Sequence, residues 1–334
     1  MIRLAAAAAH ALAWVFTVAA VLLSVLWGVG RVLTDTVPSL QQLHWIPTVV
    51  ALTVTVLALV LAALCVRSTA QRKWRNALWI IACLQAAVLL LQDWRPLTSP
   101  IVVTAGTTPI RISHVNANWP GADAVERAKE YSSSLQAAWG GAGADVLFIS
   151  EVGSMLSIEA QKPLLCADCH TIFVGRFGVV SRVPVVRATP LIDDGKIAVS
   201  WVDFGPWEGN APFAVMLVDL PSDPALSRRD VIGRMSVALR GRMSGDPDIV
   251  VGDFNVARGS GSVASLWPRH TEAFAAQGRG WGASFPRRLP LWHIDLMLTS
   301  GRVKIVDYSV RDPGAGKHSM QFASLIIGGA ETAR

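Results

Sequence analysis

Three apolar runs in the first hundred residues constrain this chain more than any other feature. They extend from about Ala5 to Val29, from Ile46 to Val66 and from about Trp74 to Trp94. Each approaches the roughly 20 residues that a helix needs to cross a bilayer. Gln85 interrupts the third. Trp27, Trp45, Trp74 and Trp94 stand near the run ends, where interfacial rings belong. A cleaved leader accounts only for the first run, and that run is long. Buried helices of a soluble domain fit poorly at these lengths. The expectation is three transmembrane helices.

Lys and Arg set the orientation. The loop between runs two and three carries Arg67, Arg72, Lys73 and Arg75, whereas the preceding loop carries only Arg31, with Asp35. The positive-inside rule puts the richer loop in the cytoplasm. Everything after about Leu97 is then extracytoplasmic, in a multi-pass protein of the cell membrane. The chain divides into a membrane region (1–96), a linker (97–109) rich in Thr, Pro and Ser, and a domain (110–334). The 52% hydrophobic content of the whole chain reflects the first part; the rest is ordinary in composition. A net charge of +6 suits a membrane surface or an anionic substrate, without choosing between lipid phosphate and nucleic acid.

The domain alternates strand-like and helix-like pieces. Strands are expected at Ile110–Val115, Asp145–Ile149, Phe177–Ser181, Ile197–Val202, Phe213–Leu220, Ile249–Val251, His293–Leu298, Val303–Val310 and Phe322–Ile327. Helical spacing runs through Ala122–Trp139 and Arg228–Arg242, the latter with Val231, Met235 and Leu239 on one side. Many strands with few helices between them indicate a two-sheet α/β sandwich.

The polar residues with chemical potential follow the strands. Asn116 and Asn118 end the first and Glu151 follows the second. Asp253 and Asn255 close Ile249–Val251 in Gly252-Asp-Phe-Asn; His293 and Asp295 belong to a later strand, and His318 comes near the end. Asp253 and Asn255, two apart on extended chain, point the same way. Carboxylate and carboxamide oxygens are hard ligands that suit Mg²⁺. A metal held by Glu and Asn, an Asp to take a proton from water and a His to meet phosphate charge make a phosphoester hydrolase.

The ordered series Asn116-x-Asn118, Asp145-Val-Leu-Phe-Ile-Ser-Glu151, Gly178-Val-Val-Ser-Arg182, Gly252-Asp-Phe-Asn255, His293-Ile-Asp295 and His318 resembles the endonuclease/exonuclease/phosphatase (DNase I-like) superfamily. The helices before it resemble the bacterial membrane-anchored members, including the teicoplanin-resistance type. The resemblance implies Glu151 as main metal ligand with Asn116 beside it, and Mg²⁺ as the ion, with Mn²⁺ as the alternative. It implies that Asp253 activates water, Asn255 holds phosphate or water, His318 contacts the phosphate and Asp295 orients His318. Two positions depart from the family pattern. Lys317 stands where an Asp usually precedes the last His, and Asp219 stands where a His is common.

The expected function is a membrane-anchored, Mg²⁺-dependent phosphoesterase on the outer face, acting on a phospholipid or lipid-linked phosphate. A nuclease is the enzymatic alternative; Arg228, Arg229, Arg258, Arg269, Arg287 and Arg288 leave it open, and nucleic acid is not the favoured partner. A degenerate binding or sensor domain is the third, with Lys317 and Asp219 as its grounds. The expected partners are the bilayer and a phosphate substrate, with no protein partner. Cys166-Ala-Asp-Cys169-His170 matches a haem-attachment pattern, but a local disulfide is the simpler reading.

Overall fold

The computed structural model describes residues 2–65, 69–96, 98, 101, 103, 108–117, 143–152 and 169–329. They form two compact units, Met1–Trp94 with Ser227–Arg229, and Arg95–Leu226 with Asp230–Arg334. The expected helix Ala122–Trp139, Asn118 and Cys166 lie outside the described residues.

The first unit is helical: α1 (Ile2–Leu33), α2 (Gln41–His44), α3 (Thr48–Cys65) and α4 (Thr69–Val88). Two stretches are long and apolar enough to cross a membrane, His10–Leu33 and Lys73–Asp93. The middle run differs from the expectation. Pro38–His44 and Thr48–Leu64 meet at a 66° bend and reach spanning length only as a pair. Pro47 stands in the break, and a proline there supplies no amide to continue a preceding helix. Its carbonyl instead accepts the amides of Val50 and Ala51 and starts α3.

The helices meet on small side chains. Ala20, Ala58 and Ala82 pack with Leu59 and Leu78, a composition that lets backbones approach closely. Gln85 is part of this contact. Its Nε2 donates to Ser24 Oγ at 3.1 Å, and Ser24 Oγ lies 3.3 Å from Thr55 Oγ1. The residue that interrupts the third run therefore ties helices together.

The second unit is a sandwich. Its strands are β1 (Ile110–Asn116), β2 (Val146–Ser150), β3 (His170–Val174), β4 (Phe177–Ser181), β5 (Val185–Asp193), β6 (Ala198–Phe204), β7 (Phe213–Asp219), β8 (Ile249–Asp253), β9 (Thr271–Glu272), β10 (Gly278–Trp281), β11 (Asp295–Thr299), β12 (Val303–Arg311) and β13 (Met320–Ile327). One sheet has the order β10-β12-β13-β1-β2-β4-β3 and the other β9-β11-β8-β7-β6-β5. Between them Ile110, Ile112, Val146, Phe148, Ala323 and Leu325 meet Val215, Leu217, Ile249, Val251 and Met297. Each buried Val, Leu, Ile, Phe or Met among them contributes about 1.5–3 kcal/mol of transfer free energy. Helix α5 (Arg228–Leu239) lays Val231, Met235 and Leu239 on the outer face of the second sheet, as its spacing predicts.

Sequence reading missed β3, β5, β9 and β10. β5 contains Pro190 and a register shift beside it, and a proline within an apolar run argues against a strand. It survives because β5 is an edge strand.

Side chains alternate along a strand, so the inward row continues past the core. On β1 it passes from Ile112 to His114 and Asn116; on β13 from Ala323 to Gln321. On the facing sheet it passes from Leu217 to Asp219, from Val251 to Asp253 and from Met297 to Asp295. The interior thus ends in polar side chains from both sheets.

Candidate active site

Three carboxylates stand in a row on adjacent strands. Asp219 pairs in register with Asp253 across parallel β7 and β8, and Asp253 pairs with Asp295 across antiparallel β8 and β11. All three are buried. Gly252 makes this possible: a Cβ there would lie 1.8 Å from the carbonyl oxygen of Val218. Only glycine lets β8 lie this close to β7.

Each acid is held differently. Asp253 accepts from Asn116 Nδ2 at 2.8 Å through Oδ2 and from the Asn255 amide at 2.9 Å through Oδ1. Asn255 Nδ2 donates to the Leu220 carbonyl at 2.8 Å. Asp295 Oδ2 accepts from His318 Nδ1 at 2.9 Å, and His318 Nε2 lies 3.9 Å from Asp253 Oδ2. The Phe285 ring lies 4.8 Å from the imidazole, tilted by 43°. Glu151 and Asn255 both have left-handed backbone, with φ 51° and 47°. Such strain in non-glycine residues is often found at functional sites, and two of the four described residues that show it, Glu151 and Asn255, were selected from sequence alone.

The electrostatics separate the roles. Burial and then the neighbouring Asp295 push Asp253 up to about 7, against the opposing pull of His318. Burial, Asp253 and Glu151 push Asp219 up to about 8, so it is protonated at neutral pH. Burial also opposes ionisation of Asp295, but the charge and hydrogen bond of His318 hold it below the usual carboxylate range. Burial would lower His318, yet Asp295 and Asp253 raise it to about 9. The pair is carboxylate and imidazolium, and the Asp253 carboxyl faces that cation.

A model of the endonuclease/exonuclease/phosphatase family matches residues 114–324. The chain belongs to this family. As a member it is a phosphoric ester hydrolase of a generally divalent-metal-dependent kind. No curated protein matches the chain. Among solved structures it is similar to a family protein from Bacteroides thetaiotaomicron, with TM-score 0.55 and 14% identity, covering 71% of this chain and 99% of that one. It is also similar to a mannosyl-6-phosphatase of the same organism, with TM-score 0.54 and 14% identity, over 65% of this chain and 100% of the other. A family member from Bacteroides vulgatus gives 0.52 and 15% over 66% and 100%. At these identities the likeness establishes the fold, the two-sheet sandwich expected from sequence.

The candidate site brings together Asn116, Asp253, Asn255, Asp295 and His318 through the contacts above. Glu151 follows β2 directly and interacts electrostatically with Asp219 and His318. Two donor sets suit a divalent ion. Glu151 with Asn116 offers a part-exposed carboxylate and an amide; because Asn116 donates through Nδ2 to Asp253, its oxygen is the ligating end. Asp253, Asp295 and His318 each present a ligand atom within 4.8 Å of the others. The second set fits less well, because a protonated imidazole is no ligand and Asp295 Oδ2 already holds it. The hard oxygens of the first set fit the ion that the family uses.

Sequence reading missed Asp219 as a site residue, noting it only as a missing histidine. Val218-Asp219-Leu220 carries a polar residue at the end of an apolar strand, the same signal that identified Asp253. It also missed a second polar layer. His114 Nε2 lies 2.9 Å from Ser150 Oγ, and burial lowers its pKa to about 4. Gln321 pairs with His114 and is fully buried. Lys317, the other departure from the family pattern, is exposed. His293 and His270 are not in the site. His293 packs its ring 5.1 Å from Phe274, and His270 lies 2.8 Å from the Pro247 carbonyl. Cys169 is disulfide-bonded, in keeping with the simpler reading of the cysteine pattern.

Proposed function

We propose that the chain is a membrane-tethered phosphoesterase that hydrolyses a phospholipid or lipid-linked phosphate at the extracytoplasmic face, with Mg²⁺ as its ion. The observation that carries the chemistry is Asp253, buried between two acids and held by Asn116 and the Asn255 amide. Glu151 and Asn116 would hold the ion, which supplies charge neutralisation at the phosphate. Asp253, raised to about 7, is matched to accept a proton from water near neutral pH. Asn255 spends its Nδ2 on Leu220, so its oxygen can accept from that water and orient it. His318 faces the phosphate as a cation, fixed by Asp295, and meets the charge that develops there. Two apolar spans, or three with the bent pair counted as one, support the tether. The Lys and Arg of the loop between runs two and three support the outward orientation.

Intact cells should release phosphate or headgroup from an added membrane-impermeant lipid phosphate, and a chelator should stop it until Mg²⁺ is restored. Activity that appears only after lysis would put the domain on the other side. Turnover of DNA alone would make the protein a nuclease.

A further inference from the structure

Three large apolar side chains of the described sandwich are more than half exposed: Val186, Val237 and Leu289. Only Leu289 lies on a segment that touches the site. That segment, Phe285-Pro-Arg-Arg-Leu-Pro-Leu-Trp292, is a narrow loop closed by paired backbone bonds between Phe285 and Trp292, at 3.0 and 2.9 Å. The Leu289 amide donates to the Pro286 carbonyl at 3.0 Å, and Trp281 Nε1 donates to the Pro290 carbonyl at 2.8 Å. At its base is Phe285, the ring against His318.

The loop is braced, and its brace assembles cations. Arg287 grips Asp312 through Nη1 at 2.8 and 3.1 Å and the Gly316 carbonyl through Nε at 2.9 Å. Its amide donates to the Lys317 carbonyl at 2.7 Å, which brings Lys317 alongside. Arg288 and Lys317 are both exposed. Asp312 is engaged by Arg287 and also feels Arg288. Leu289 is 66% open to solvent and follows Arg287 and Arg288 directly in sequence, a combination of apolar and basic side chains suited to a membrane interface.

We infer that the 285–292 loop, with Lys317, is a docking lip for a bilayer surface bearing anionic headgroups. Leu289 enters the headgroup region, and Arg288 and Lys317 engage lipid phosphate beside His318. This rests on the phosphoesterase reading for its purpose, though not for its binding. It also gives Lys317 a use: in place of an acid at the reaction centre, the chain has a cation on the rim. Charge complementarity selects the partner. Each basic residue near an anionic surface raises association about fivefold.

The test uses the full chain in bilayer nanodiscs of phosphatidylcholine, with or without phosphatidylglycerol and with brominated acyl chains. Leu289→Trp should add fluorescence quenching over the parent chain, more so with phosphatidylglycerol; Val237→Trp should add none. Arg288→Glu with Lys317→Glu should remove the added quenching. It should also lower the ratio of lipid-phosphate to soluble-phosphodiester turnover at least about tenfold. No added quenching at position 289, equal quenching at 237, or indifference to phosphatidylglycerol would overturn the lip. If soluble phosphodiesters are hydrolysed in that case, the phosphoesterase reading stands. If they are not hydrolysed but quenching appears, the lip stands and that reading falls.

Discussion

The helical unit and the sandwich both bury polar side chains in apolar surroundings, by opposite means. Where α1, α3 and α4 meet, the buried groups that bond one another are neutral: Ser24, Thr55 and Gln85 share hydrogen bonds and carry no charge. At the end of the sandwich they are titratable: Asp219, Asp253, Asp295 and His318 lie together, with one imidazolium among three carboxyls. Neutral groups join elements at little cost. Charged groups in such a place push one another's protonation equilibria apart, which is of use to catalysis and otherwise a burden. The contrast separates a polar cluster that holds structure from one equipped for the proposed reaction.

The sharpest test of that contrast removes a charge from each side of the proposed chemistry. Asp253→Asn keeps shape and takes away the base, so turnover should fall by at least about 10²-fold. Glu151→Gln should abolish the metal-dependent part, with titration calorimetry showing weakened ion binding and circular dichroism an unchanged fold. Retained activity in both would make the acid row structural.

A middle-sized effect belongs to Asp219. Its folded pKa, raised to about 8, exceeds the unfolded value near 3.9. Between those values the folded state holds a proton that the unfolded chain has lost. Its contribution to stability is therefore complete below about pH 4, declines as pH rises and is gone above about 8. In metal-stripped protein, Asp219→Asn should flatten the fall in melting temperature from pH 5 to 8. An unchanged slope would mean that Asp219 is ionised and compensated.

The smallest effect is expected among the helices. Interhelical hydrogen bonds within membranes average about 0.6 kcal/mol. Gln85→Leu also removes an amide oxygen that has no partner among the described residues. Net stability in detergent should change by less than about 1 kcal/mol, with activity retained. A loss of several kcal/mol would show that the neutral cluster carries more than adhesion.

Much of this was legible in the sequence because it is local. Apolar runs ending in polar residues marked β1, β2 and β8, and with them Asn116, Glu151, Asp253 and Asn255. The Asp295–His318 bond was readable only through the family resemblance, since 23 positions separate the two. Asp219 was hidden because it was compared with an expected histidine and not with its neighbours across the sheet. β5 was hidden by Pro190, which an edge strand tolerates and a sequence pattern does not reveal. The bend at Pro47 was overlooked because hydropathy averages across a break in direction.

Left-handed backbone at Glu151 and Asn255 bears on how this protein could be altered. Asparagine accepts that conformation more readily than glutamate, and glycine accepts it best. Replacing Glu151 with glycine would relieve about 1–2 kcal/mol of local strain while deleting the carboxylate. If Glu151 holds the ion as proposed, heat resistance and catalysis compete at this one position. A library sorted by thermal survival alone would drift toward a sturdier, inert sandwich, so a sort for both must hold position 151 fixed.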